Sequence, residues 1–279
     1  MQDDFAEAGA AEVGVTGEVG ATGEGLPGAG AGAGAGEGLR PGAREEARAR
    51  ARALKQANRR AFDRLAQTYD DERRSFHARR LYRHVLWQLA GLYREWLCRE
   101  RREGRVGEDG EPERRFRVLD VGCGTGLLAA YVLDAMPYVR LVGVDLSERM
   151  VDVARERLGG GARLFCADAE RLPFSEGAFD VVIMNDTIHH LPDAARAVFE
   201  AWRVLGRHGV LVVGEICVPA LLRALRNLAA PLLGEGDVYV RTEPELTGLL
   251  GSWFHRVAAE RVNGDAILAL AAKSPVDRR

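Results

Sequence analysis

Residues 118–126 read Val118-Leu119-Asp120-Val121-Gly122-Cys123-Gly124-Thr125-Gly126, an apolar run that ends in a carboxylate and passes into three glycines at alternate positions. Leu127 to Met136 follow as a helix-like stretch. The pattern predicts a buried strand, a tight turn and a helix N-terminus. Glycine is expected in the turn because a side chain there would keep a ligand from the backbone N–H groups. The spacing narrows the choice. A dinucleotide fingerprint, Gly-x-Gly-x-x-Gly, places its third glycine where this chain has Leu127, whereas Gly-x-Gly-x-Gly fits as written.

A second apolar run, Val139 to Val144, closes on Asp145, placed to accept hydrogen bonds from two ribose hydroxyls. A third, Arg163 to Ala167, ends at Asp168 and is followed by Ala169; a fourth, Phe179 to Met184, leads into Asn185-Asp186-Thr187-Ile188-His189-His190-Leu191-Pro192-Asp193. Four strand ends therefore carry Asp120, Asp145, Asp168 and Asn185. In an open α/β sheet ligands sit outside the carboxyl ends of the strands, so these side chains are expected to converge on one crevice. Each could alternatively cap the helix that follows it. Capping does not account for all four together with the glycines.

These residues resemble the class I S-adenosylmethionine-dependent methyltransferases, and most nearly the subgroup holding the ubiquinone- and menaquinone-biosynthesis and many small-molecule methyltransferases. The matching stretches run from about Phe62 to Lys273. They include Phe62-Asp63-Arg64-Leu65-Ala66-Gln67-Thr68-Tyr69-Asp70, the glycine turn, Val142 to Met150, Ala167 to Phe174, Phe179-Asp180-Val181-Val182, and Trp202-Arg203-Val204-Leu205 with Gly209. The usual Pro-Gly-Gly after that last motif is here Gly206-Arg207-His208-Gly209. The resemblance implies S-adenosylmethionine as cofactor. Gly122, Gly124 and Gly126 would line its methionine and ribose portion, with Cys123 packing in the same turn. Asp120 would lie beneath the methionine ammonium and Asp145 would hold the ribose. Asp168 and the Ala169 N–H would meet the adenine edge, Leu146 and Met150 its faces. Asn185 would serve near the methionine end through its backbone, and Tyr69 as a lid contact.

The implied fold is α/β: a Rossmann-like sheet of seven strands, mostly parallel with a C-terminal antiparallel hairpin, helices on both faces, and additional N-terminal helices. The expected domains are a disordered tail over 1–42, a helical cap and loop over 43–114, the methyltransferase domain over 115–273, and a short tail over 274–279. Residues 1–42 carry seven acidic residues, one Arg and 13 of the 33 glycines, too little apolar material to offset ordering entropy. From Arg44 to Arg60 seven basic residues face two acidic ones, read here as a solvated helix face that the acidic tail could screen. Tyr82, Val85, Leu86, Leu89, Leu92, Tyr93 and Trp96 form a helical apolar stripe, with a surface loop over 101–114. Further on, Ala194 to Leu205 reads as a helix, Val210 to Ile216 as a fifth strand and Ala220 to Leu233 as a helix that serves either as substrate lid or as packing. Thr242-Glu243-Pro244-Glu245 reads as a capped helix start, and Phe254–Val262 with Asp265–Ala272 as a hairpin through Asn263-Gly264.

A sulfonium methyl is transferred by in-line displacement, and a base is needed only for a nucleophile that must lose its proton early. His189 and His190, just past the fourth strand, are the candidate bases or substrate contacts; the alternative is that they orient the backbone or pack on the Leu191-Pro192 turn. The acceptor is expected to be a small molecule, hydrophobic or aromatic, since the 220–233 stretch is apolar. The net charge of −2 argues against nucleic acid. Four cysteines without ligand spacing imply reduced thiols, no metal site and a cytoplasmic protein, and no run is long enough to span a membrane. Two other classes remain open. A nicotinamide-dependent oxidoreductase would lack its third glycine and a Tyr-x-x-x-Lys; a noncatalytic partner protein would use the Arg-rich helix. Oligomeric state is not legible.

Overall fold

In a computed structural model of the chain, the described residues are 41–73, 76–136, 138–233, 238–262 and 264–273. The expectations for the Gly/Ala/Glu-rich stretch before Pro41, for Asn263 and for the segment 274–279 lie outside them. Three helices come first: α1 (Pro41–Leu65), α2 (Tyr69–Arg73) and α3 (Phe76–Arg102). Then β1 (Phe116–Val121), α4 (Leu127–Ala135), β2 (Val139–Asp145), α5 (Glu148–Leu158), β3 (Arg163–Cys166) and β4 (Phe179–Asn185) alternate. They are followed by α6 (Ala194–Val204), β5 (Leu205–Ile216), α7 (Ala220–Leu233), α8 (Glu243–Gly251), β6 (Arg256–Val262) and β7 (Ala266–Ala272).

The seven strands form one sheet in the order β3-β2-β1-β4-β5-β7-β6. β1 to β5 are parallel, whereas β7 runs antiparallel to β5, and β6 to β7. The predicted sheet and hairpin are thus both present. The strands are near-continuous apolar runs because both faces are covered. Val118, Val181, Ile183 and Val212 point to the face packed by α3 and α4. Leu119, Val182, Met184 and Leu211 point to the face packed by α6 and α8. This alternation follows from the two-residue repeat of a strand.

The widest departure from the expected boundaries lies at one junction. α6 stops at Val204, and β5 begins at once with Leu205 rather than at Val210. Phe179 pairs with Leu205 but Val181 with Val210, so Gly206-Arg207-His208-Gly209 bulges out of the ladder. A Cβ at Gly209 would lie within 3.0 Å of Leu205, which is why the bulge needs glycine where the related turn has its own. The capping box at Thr242 forms as read: its side chain accepts from the Glu245 N–H and the Glu245 carboxylate accepts from the Thr242 N–H.

In this strand order the crossover direction reverses between β1 and β4, and the carboxyl ends of these two strands open the crevice where open α/β sheets bind ligands.

Candidate functional site at the carboxyl edge of the sheet

The glycine turn is built by close approach. Gly122 and Gly124 sit at φ 74° and 52°, the left-handed region. A Cβ on Gly122 would come within 2.5 Å of the Thr187 hydroxyl, so glycine lets the loop after β4 lie directly on the turn. A Cβ on Gly124 would meet nothing within 4 Å, because that face looks into open space. The expected reason for glycine needs correction. The amides of Gly122 and Cys123 both donate to the Val144 carbonyl (2.8 and 3.0 Å), and the Gly124 amide donates to Asp145 Oδ2 (2.9 Å). The turn's N–H groups hold the turn together, and what it offers a ligand at Gly124 is bare backbone surface.

Asp145 is likewise committed at both oxygens, its Oδ1 accepting from the Ser147 N–H (2.9 Å). Burial pushes its pKa up, against the opposing pull of those amides. Asp120 is more extreme. Its side chain is buried and accepts no hydrogen bond from the described residues; desolvation, aided by the charge of Asp145, raises its pKa to about 7. A buried carboxylate without a partner is costly to its own fold and marks a place for a cation.

Two adjoining hollows occupy this edge. The larger encloses about 770 Å3, counting its mouth, and is lined by Tyr69, Gly122, Gly124, Asp145, Leu146, Met150, Asp168, Ala169 and His190 among the expected residues. The smaller, about 420 Å3, is lined by Asp120, Cys123 and Asn185 and shares Tyr69, Gly122, Gly124 and Asp186 with its neighbour. The four strand-end side chains therefore divide between two connected spaces instead of one crevice. Among the described residues the Asn185 Oδ1 is buried there without a partner. Burial raises the Cys123 thiol well above its usual range, so it stays a packed thiol.

Gly126 and His189 line neither hollow. Gly126 is the N-terminal cap of α4, and a Cβ there would press on Ala154 of α5 at 3.0 Å. The His189 ring is buried, with Nδ1 2.6 Å from Glu215 Oε2; the other Glu215 oxygen accepts the amides of Thr187 and Ile188. Its neighbour His190 faces the larger hollow, edge-on to Phe62 with ring centroids 4.9 Å apart.

Several participants escaped the sequence reading. α1, read as a solvated face, supplies Lys55, Asn58, Arg59 and Phe62 to the wall of the larger hollow. Lys55 Nζ lies 2.6 Å from Asp168 Oδ2 and 2.5 Å from Glu170 Oε2. Asn58 donates to the His190 carbonyl (2.7 Å), and the Ser147 hydroxyl donates to Asp63 (2.6 Å). Below Tyr69, the Thr125 hydroxyl donates to Asp70 (2.7 Å), whose carboxylate also pairs with Arg157. Asp186 is a further participant. Its φ of 52° makes it the one non-glycine in the left-handed region among the described residues, and its side of the chain borders both hollows. A short polar residue directly after a strand end was the only signal it gave.

Residues 119–213 match the family model described as a methyltransferase domain. The chain is 29% identical to the demethylmenaquinone methyltransferase of Thermotoga maritima over 70% of its own length and 75% of that protein's. It is 33% identical to a ubiquinone/menaquinone biosynthesis C-methyltransferase of Methylobacterium nodulans over 53% of its length and 64% of the relative's, so it spans somewhat less than two thirds of that protein. A solved methyltransferase structure from Thermotoga maritima superimposes with a TM-score of 0.53 at 23% identity, covering 77% of this chain and 99% of that one, which establishes a shared fold. The domain match over residues 119–213, the quinone-methyltransferase relatives and the sheet with its reversed terminal hairpin make this chain similar to the class I S-adenosylmethionine-dependent methyltransferases, whose fold it shares.

Proposed function

We propose that the two hollows together hold S-adenosylmethionine and that the chain transfers its methyl group to a small, flat, apolar acceptor of the phenol or quinol kind. The observation that carries this reading is that Gly124, Asp145 and Asp168, from the ends of three successive strands, line one hollow beside a buried Asp120 that accepts no hydrogen bond from the described residues. The fit is chemical. Asp145 presents a fixed carboxylate to the ribose hydroxyls. Asp168 and the Ala169 amide suit the adenine edge, and Leu146 and Met150 sandwich its faces. Asp120 supplies the anion for the methionine ammonium, with the idle Asn185 Oδ1 beside it. Tyr69 closes the space from above.

When bound, the sulfonium supplies an electrophilic methyl carbon. The protein's part is to hold the acceptor about 3 Å away and in line with the breaking bond, in a space closed to water. His190, at the wall of the larger hollow, is the group able to take an acceptor proton; His189, locked to Glu215, positions the loop that carries it. An acceptor of quinone type fits the relatives' names and the apolar α7, whose Asn227 side chain is hydrogen-bonded to the Val240 backbone, just beyond the Val238 and Tyr239 amides that donate to the His189 carbonyl.

Calorimetry with S-adenosylhomocysteine and with NAD tests the cofactor half: saturable binding of the first alone is expected, and binding of NAD alone would overturn it. Asp145→Ala should weaken S-adenosylhomocysteine binding by roughly ten- to a hundredfold, the worth of charge-assisted hydrogen bonds. Transfer of labelled methyl to phenolic and quinol acceptors, with none to amines or protein, is the outcome expected for the second half.

A further inference from the structure

α1 forms a wall of the larger hollow, yet its residues buried to near completion are few: Asn58 and Ala61, with Ala66 just beyond its end. Apart from Phe62, which lies edge-on to the His190 ring, what fastens it to the strand ends is polar. Each fastening reaches a different strand-end segment: Lys55 to Asp168 and Glu170 after β3, Asn58 to the His190 carbonyl after β4, Asp63 to Ser147 after β2. Lys55 is the strongest of these. It is one of only two lysines among the chain's 39 basic residues, and its compact ammonium bridges two carboxylates at once. Burial alone would lower its pKa, but hydrogen bonds and charge from Asp168 and Glu170 outweigh that and leave it raised, so the ammonium stays charged.

Asp168 is the point of contact between this fastening and the cofactor reading. Its Oδ1 accepts the Glu170 amide (2.9 Å) and its Oδ2 accepts from Lys55. A carboxylate has about four acceptor sites, so an adenine amino group can join Lys55 at the same group. Without Lys55, Asp168 and Glu170 would face each other as like charges and Asp168 would lose its orientation.

Resting on the cofactor reading above, we propose that Lys55 is a latch: a positioning residue that orients Asp168 toward the adenine and fastens α1 as a cover that must release for the cofactor to exchange. Entry and departure then share one step, the parting of Lys55 from the acidic pair. A residue that merely touches the ligand would slow its departure without affecting entry. A latch restrains both.

The experiment is stopped-flow association and dissociation of S-adenosylhomocysteine with the full chain, alongside hydrogen exchange of the ligand-free protein. Lys55→Gln is expected to raise both rate constants, each by roughly three- to tenfold, with Lys55→Arg in between. Amides of α1 should exchange faster in Lys55→Gln while those of α3 stay unchanged. Asp63→Ala, which leaves Lys55, Asp168 and Glu170 in place, should also speed both steps. Faster dissociation with unchanged association would reduce Lys55 to a contact and overturn the latch, as would unaltered α1 exchange. Failure of the wild-type chain to bind S-adenosylhomocysteine would instead sink the cofactor reading, while the exchange measurement still decides whether Lys55 fastens α1.

Discussion

Two long helices precede the sheet, and they are attached by opposite means. α3 buries Leu81, Val85, Leu89 and Trp96 against Phe116, Val118, Leu128 and Val212, with Trp96, Tyr93 and Phe116 packed ring to ring. α1 meets the sheet edge chiefly through Lys55, Asn58 and Asp63, with Phe62 against the His190 ring as its apolar contact there. Apolar burial is strong and non-directional, at about 25 cal/mol per Å2, whereas a hydrogen bond or exposed ion pair contributes about 1 kcal/mol or less because water competes for both partners. The first kind of attachment suits a helix that never leaves. The second suits a helix that lies over a ligand site and has to open.

The largest effect should come from the apolar side. Leu89 is wholly buried, and Leu89→Ala is expected to lower unfolding free energy by about 2–5 kcal/mol through lost burial and a residual cavity, measured by urea denaturation. A loss under 1 kcal/mol would mean that α3 is no more firmly attached than α1, and the contrast would fail at its stronger end.

The difference between the helices also explains what could be read from the sequence. The stripe Tyr82, Val85, Leu86, Leu89, Leu92, Tyr93, Trp96 repeats with the helix and so declares its buried face. The strand ends were legible for a related reason: an apolar run that stops at Asp120 or Asp145 shows both the strand and its exit. Nothing periodic marks Lys55, which sits in a run of arginines and finds its partners 113 and 115 positions along the chain. His189 and His190 are adjacent and alike in sequence. Which one faces the hollow is decided by Glu215, 26 residues further on, which takes His189 into the interior. The role of the glycines was read in part. Their left-handed backbone was foreseeable, but the engagement of their amides by Val144 and Asp145 depends on how β2 lies beside β1.

A middle effect, opposite in sign, belongs to the site itself. Asp120 keeps its proton up to about pH 7 in the folded chain, against an ordinary value of 3.8. Between those values the folded state holds more protons than the unfolded one, so this residue's contribution to stability falls as pH rises from about 4 to 7 and stays low above. Asp120→Asn should therefore stabilise the chain at pH 8 by on the order of 2 kcal/mol and leave it nearly unchanged at pH 4. In the same variant S-adenosylhomocysteine binding should weaken by roughly tenfold, because the ligand's ammonium loses its anion. Wild-type affinity should climb with pH through about 7 as Asp120 ionises. Equal stability of the two proteins at pH 8 would show that Asp120 has a partner after all.

The smallest stability change is expected where the attachment is polar. Ser147 caps α5 by accepting the Met150 amide (3.1 Å) and separately donates to Asp63. Asp63→Ala removes the second bond, together with the long, half-exposed Arg59 ion pair within α1, and leaves the cap in place, so the loss should be about 0.5 kcal/mol with an unchanged urea slope. Ser147→Ala removes both and should cost about 1 kcal/mol more, the usual worth of an N-cap. The difference between these variants isolates what α1 contributes through this contact from what α5 needs for itself. If Asp63→Ala destabilised the chain as much as Leu89→Ala, the two helices would be equivalent structural members. A cover over the cofactor space would then have no weaker fastening at which to part.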